Sequence, residues 1–152
     1  MGERIVCAAN VDRYYGDNAA LLAKYAEIAR SNECPFCAPN IENPFVGQTQ
    51  GWNIVHNQFP YKYADGTTVR LHLLLLPKRH VLTFAELDGS EMADLGDAIR
   101  LAKVKYPFLV NGCGMGVREL EVGGVTLYHL HWHLIAPQIG PKGQIPINFG
   151  IG

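Results

Sequence analysis

Residues 128–137 read YHLHWHLIAP and place three of the chain's six histidines on every second residue: His129, His131 and His133. Leu130, Trp132 and Leu134 fill the gaps. In an extended strand, alternate side chains share a face about 6.5–7 Å apart. The spacing therefore predicts a strand with one apolar face for a core and one imidazole face for something polar. A row of imidazoles is poor core filling, because each ring needs partners for two nitrogens. Two uses of such a row compete at this point. His129 and His131 could both bind one catalytic metal, with His133 about 13 Å from His129 and out of reach. Alternatively, the imidazoles act as nucleophile and general acid on a phosphate or acyl centre.

The rest of the chain suits one ordinary domain. It has 152 residues, 48% of them hydrophobic and 18% charged, enough apolar material for a core. Thirteen basic and 14 acidic side chains leave a net charge of -1, so no broad basic field addresses nucleic acid or a membrane surface. A local pocket can still be positive and accept a small anion. The longest aliphatic run, Leu73 to Leu76, ends at Pro77 and is too short to cross a bilayer. No signal peptide is visible at the start, and a cytoplasmic location is expected. Of Cys7, Cys34, Cys37 and Cys113, only Cys34 and Cys37 are close, as C-P-F-C. In a reducing compartment such a pair points to a metal or a redox site before a structural disulfide.

Residues 17–30, DNAALLAKYAEIAR, predict an amphipathic helix capped by Asp17. SNECPFCAPN breaks it with Pro35 and Pro39. GWNIVHN predicts a strand, Asp65-Gly66 a hairpin turn, and RLHLLLLP a buried strand. DGSEMADLGDAIRLAKVKY predicts a second helix capped by Asp88 or Ser90, with Met92, Leu95, Ile99 and Ala102 on its faces. PFLVNGCGMG predicts a strand entering a glycine-rich loop, and VTLYHLHWHLIAP a strand closed by Pro137. Helices and strands do not alternate, so the expected class is α+β around a mostly antiparallel sheet.

The segment His129-Leu130-His131-Trp132-His133-Leu134-Ile135 resembles the motif of the histidine triad (HIT) family, His-φ-His-φ-His-φ-φ with φ apolar. HLLLLPKRH resembles the family's H-x-L-x-x-P-x-x-H segment, VHNQFPY an earlier strand end, and NECPFC its N-terminal C-x-x-C. The resemblance spans roughly residues 33–137. It implies a single HIT domain over 1–152, with 1–32 as an N-terminal helical extension and 138–152 as a tail. The implied fold is α+β, an antiparallel sheet of about five strands with two main helices.

The resemblance also implies an activity. The family acts at the α-phosphate of nucleotides through a transient nucleotidyl-histidine. The middle triad residue, His131, is then the nucleophile, its other ring nitrogen donating to a fixed acceptor such as a backbone carbonyl. His133 holds phosphate oxygens and helps the leaving group, and His72 supports the triad without touching phosphorus. Asn57 is implied at the ribose. Thr126, Gly124 and Asn111 are implied beside the phosphates, Gly124 through its N–H, and His56 near the nucleotide. Histidine rather than glutamine at 133 points to a hydrolase, of purine nucleoside phosphoramidates or dinucleoside polyphosphates. The alternative is a nucleotide-binding regulatory module with weak turnover. The matching zinc ligands are Cys34, Cys37, His80 and His129, for a structural ion with no catalytic metal needed. Cys7 and Cys113 are expected to be buried thiols, and Lys78 and Arg79 solvated charges. A homodimer joined at sheet edges is implied, with no nucleic-acid or membrane partner.

The chain departs from the family pattern at four places. Val125 stands where many members carry a glutamine on the leaving-group side, and Leu71 where a glycine precedes the histidine. VRELEV looks like an insertion before the triad, and YKYADGTTVR lengthens the neighbouring hairpin.

Overall fold

A continuous apolar run such as Leu73 to Leu76 implies a strand covered on both faces, and the computed structural model, which describes residues 4–150, shows this arrangement. Strand β3 (Leu71–Pro77) has every residue buried and lies at the middle of the sheet. Its neighbours are β2 (Trp52–His56) and β5 (Trp132–Ala136), with β1 (Phe45–Gln48) and β4 (Gly114–Val117) at the edges. The order is β1-β2-β3-β5-β4, and every pairing is antiparallel.

Leu71, Leu73 and Leu75 project to one side with Trp52 and Ile54, against Leu95, Ala98 and Ala102 of α3 (Gly89–Lys105). Leu74 and Leu76 project to the other with Val55, against Val11 of α1 (Ala8–Tyr15) and Leu21 and Tyr25 of α2 (Ala19–Ser31). His72 has the parity of Leu74 and so faces the α1–α2 side. Leu71, in place of the family's glycine, packs in the α3-side core.

The two foreseen helices are present with adjusted ends. Asn18, not Asp17, caps α2, its side chain accepting the Leu21 N–H at 3.1 Å. Asp88 caps α3, accepting the N–H groups of Ser90 and Glu91 at 2.8 Å each. Met92 is not on the buried face of that helix; it is exposed, and Ala98 takes the interior position. Helix α1 was not foreseen. It has eight residues and no side-chain cap, so little local signal marks it. Tertiary contacts hold it: the buried Asn10 side chain donates to the carbonyls of Glu121 (2.9 Å) and Val125 (2.8 Å).

Three further segments differ from the sequence expectation. Pro107–Asn111 forms a 3-10 turn rather than a strand, with proline in its first turn where the missing N–H costs nothing. The insertion forms a short helix, α4 (Leu120–Gly123), entered through Leu120 in the left-handed region and left through Gly124 in the same region. Strand β5 begins only at Trp132, because the ladder with β3 would next run towards Pro77, which has no N–H to offer. The chain instead turns aside, and the Leu130 N–H donates to the Val81 carbonyl at 2.7 Å. After β5 come two short strands, β6 (Ile139–Gly140) and β7 (Gly143–Gln144), and the tail folds back over the sheet. No described helix is long and apolar enough to cross a membrane.

Candidate functional site

The early end of β5 splits the histidine row. His129 turns into a cluster with buried Cys34 and half-buried Cys37 and His80, whose ligating atoms all lie within 4.8 Å of one another. His129 Nδ1 stands 3.3 Å from Cys34 Sγ, 3.5 Å from Cys37 Sγ and 3.1 Å from His80 Nδ1. Its opposite nitrogen donates to the Pro77 carbonyl at 3.0 Å. That bond places the ring proton on Nδ1's far side, on Nε2, and leaves Nδ1 a lone pair aimed at the other three groups. Two sulfurs and two nitrogens converging with a lone pair between them fit a closed, four-coordinate metal site. The cluster could hold an ion such as zinc. Three chain segments meet there: the turn after α2, the exit of β3 and the lead-in to β5.

His131 and His133 belong to a different space. They line a cleft of about 730 Å³, a size suited to a small ligand. Their ring centroids are 4.9 Å apart. The His131 Nδ1–H donates to the carbonyl of His129 at 2.7 Å, so Nε2 carries the free lone pair. His133 is set by a relay. The Tyr61 N–H donates to His72 Nδ1 at 3.2 Å, and His72 Nε2–H then donates to His133 Nδ1 at 2.8 Å. The remaining proton of His133 therefore sits on Nε2, a buried donor with no protein partner among the described residues. A lone-pair nitrogen and an unspent N–H thus sit side by side at one cleft.

All three rings are held neutral. Burial pushes His72 down to about 3 and His133 well below the usual histidine range. Burial also lowers His131; the Arg118 charge acts in the same direction, against the raising effect of the His129 carbonyl.

Thr126 and Gly124 line the same cleft, and the Thr126 hydroxyl meets Tyr25 at 3.0 Å. Asn57 lines it too, its Oδ1 accepting the Phe59 N–H at 2.9 Å. Tyr14, Tyr15, Phe36 and Phe59 complete much of the wall. Three expectations need correction. The Gly124 N–H does not face the cleft; it is spent on the Glu121 carbonyl, closing α4. Asn111 is exposed at the end of the 3-10 turn and does not line the cleft, because the segment before β4 is helical rather than extended. His56 bonds Tyr106 at 2.7 Å on the opposite side of the sheet, as its register opposite Leu73 requires.

The HIT domain profile matches residues 39–139. The chain belongs to the HIT domain family. An uncharacterized HIT-like protein of Chlamydia trachomatis is 26% identical over 98 residues, covering 62% of this chain and 81% of its own. Another from Mycoplasma genitalium is 22% identical over 123 residues, covering 79% and 80%. The fold is shared with a histidine triad nucleotide-binding protein from Candida albicans (17% identity, 85% of this chain and 83% of that one, TM-score 0.53). It is also shared with the Plasmodium falciparum diadenosine triphosphate hydrolase (18% identity, 69% and 67%, TM-score 0.53).

This HIT domain carries site residues that the motif does not announce. Arg118, from the insertion, lines the cleft and donates from Nη2 to the Tyr61 hydroxyl at 2.7 Å. Phe149, from the tail, sits 5.2 Å from His133 between ring centroids. The aromatic wall, from α1, the turn after α2 and the loop after β2, was equally hidden. One signal pointed to Arg118: it lies in the VRELEV insertion that precedes the triad. Lys78 and Arg79 also do more than carry solvated charge: Lys78 bonds the Thr49 carbonyl at 2.7 Å, and Arg79 pairs with Glu91 at 2.7 Å, tying the β3 exit to α3.

Proposed function

We propose that the chain hydrolyses a nucleotide substrate at its α-phosphate, a purine nucleoside phosphoramidate or a dinucleoside polyphosphate, through a nucleotidyl group on His131. The observation that carries this reading is the paired state of the two rings at the cleft. His131 offers an unprotonated Nε2, fixed by its Nδ1 bond to the His129 carbonyl, and His133 offers an Nε2–H that bonds to none of the described residues.

The chemistry follows from those states. His131 Nε2 attacks phosphorus, forming a P–N bond as the bond to the leaving group breaks. The His133 N–H supports a phosphate oxygen or the departing atom. Water then attacks the phosphorus and gives up a proton, to His133 Nε2 where that has served the leaving group and otherwise to solvent. The P–N bond breaks, its electron pair returns to His131 Nε2, and a nucleoside monophosphate is released. Thr126 and Asn57 are read as phosphate-side and ribose-side contacts, and the aromatic wall as the place for the base. His72 acts by holding the tautomer of His133.

Two thiolates and two imidazoles suit a structural zinc ion, which would tie three segments together and offers no open position for water. Its connection to the reaction is positional: His129, a ligand on one side, presents through its carbonyl the acceptor for His131. We read the protein as cytoplasmic, where C-P-F-C stays reduced, and as a homodimer joined sheet edge to sheet edge.

The test is turnover of a fluorogenic adenosine phosphoramidate and of a diadenosine polyphosphate by wild type and by His131→Asn. Wild type should release AMP, and the variant should lose at least about 10³-fold in kcat. Binding of AMP with no turnover of either substrate would favour a regulatory nucleotide-binding module, a reading to which the apolar Val125 on the cleft wall lends some support.

A further inference from the structure

The insertion before the triad brings a permanent cation to the reacting face. Strand β4 pairs with β5 as Gly114↔Ile135, Gly116↔His133 and Val117↔Trp132. Arg118 follows directly on β4, two residues after Gly116, the partner of His133. Residues two apart along a strand direction share a face, and Arg118 lines the cleft with His131 and His133.

The guanidinium is held in place but not neutralised. Its Nη2 donates to the Tyr61 hydroxyl (2.7 Å) and its Nε to the Gly150 carbonyl (2.6 Å), and it stacks over the Phe149 ring at 4.5 Å. Among the described residues no carboxylate pairs with it, and nothing bonds its Nη1 group. The segment that presents it is anchored at several points. Glu119 accepts the Phe84 N–H at 2.5 Å, and the buried Asn10 amide ties down the carbonyls of Glu121 and Val125. Leu120 sits in the left-handed region, at a conformational cost met by those contacts. The residue where many relatives would reach the leaving group, Val125, is apolar and buried here.

We propose that Arg118 is a specificity-determining residue that binds an anionic, phosphate-bearing leaving group and so commits the site to nucleoside polyphosphates over phosphoramidates. This inference rests on the proposed hydrolysis through His131. In the displacement, the P–O bond breaks and its electron pair stays on the departing phosphate oxygen. A guanidinium stabilises that charge with planar, paired N–H donors. An amine leaving group needs a proton instead, and a group that stays charged above about pH 12 does not supply one.

The experiment compares kcat/KM for a diadenosine polyphosphate and an adenosine phosphoramidate in wild type and Arg118→Gln. The ratio of the two, polyphosphate over phosphoramidate, should fall about 10²-fold in the variant. An unchanged ratio, with both substrates losing equally, overturns the inference and leaves the hydrolase reading standing. Wild type that turns over neither substrate overturns the hydrolase reading and this inference with it. Wild type alone provides a second arm should the variant fail to fold. Across AMP derivatives differing only in leaving group, it should favour polyphosphate over amine by about 10²-fold. Equal rates, or a preference for the amine, overturn the proposal.

Discussion

His72 gives its Nε2 proton to Nδ1 of His133 across 2.8 Å, and the backbone N–H of Tyr61 fixes the other side of the His72 ring at 3.2 Å. The hairpin that carries Tyr61 therefore sets which nitrogen of His133 is protonated. Replacing His72 with phenylalanine keeps a ring in the buried position but removes the donor. Expected is a drop in kcat of about 10- to 100-fold with a smaller change in KM, read from steady-state kinetics on the preferred substrate. A change confined to KM would show that the relay does not orient His133.

Burial of neutral His72 links stability to pH. In the unfolded chain the ring takes up its proton near the ordinary histidine value of 6.5, whereas in the folded protein it does so only near 3. Between these values the unfolded state binds more protons, so stability falls as pH is lowered from about 6.5 towards 3. At pH 5 the loss is about 2 kcal/mol. Urea melts of wild type from pH 7 to pH 4.5 should show this slope, and His72→Phe should flatten it by roughly one proton's worth.

The four-residue cluster predicts a metal-dependent fold. Cys34→Ser and Cys37→Ser should each lower the bound metal, measured per chain by elemental analysis, and should cost more than about 3 kcal/mol. For a chain of this size that is about 10 °C in Tm. Treatment with a chelator should lower Tm in wild type and have no further effect in the serine variants. Loss of activity with unchanged Tm would instead point to a metal engaged in the reaction.

Asn10 spans from α1 to the insertion, satisfying two carbonyls from a buried position. Asn10→Ala leaves both acceptors without their amide and should cost about 2–3 kcal/mol in denaturant melts. The same change loosens the segment that presents Arg118. The loss should therefore also appear as a raised KM for polyphosphate substrates at temperatures where the variant is folded. A variant as stable as wild type would mean that water replaces the amide at no cost.

What the amino-acid order alone offered is the set of candidate chemistry-bearing residues. Only a few residue types can bind a soft metal or attack phosphorus, so C-P-F-C, the spaced His72 and His80, and the alternating triad remained readable without coordinates. The buried central strand was equally plain, because a strand covered on both faces must be apolar throughout. Tertiary structure decided how the row of histidines is divided. The pairing of β5 fails near Pro77, and that failure turns His129 into the cysteine cluster while His131 and His133 stay with the cleft. It also decided the surroundings: Arg118, Phe149 and the tyrosines of α1 reach the site through pairings and hydrogen bonds between distant segments. Such contacts depend on where an insertion ends and a tail folds back, and no local periodicity encodes that.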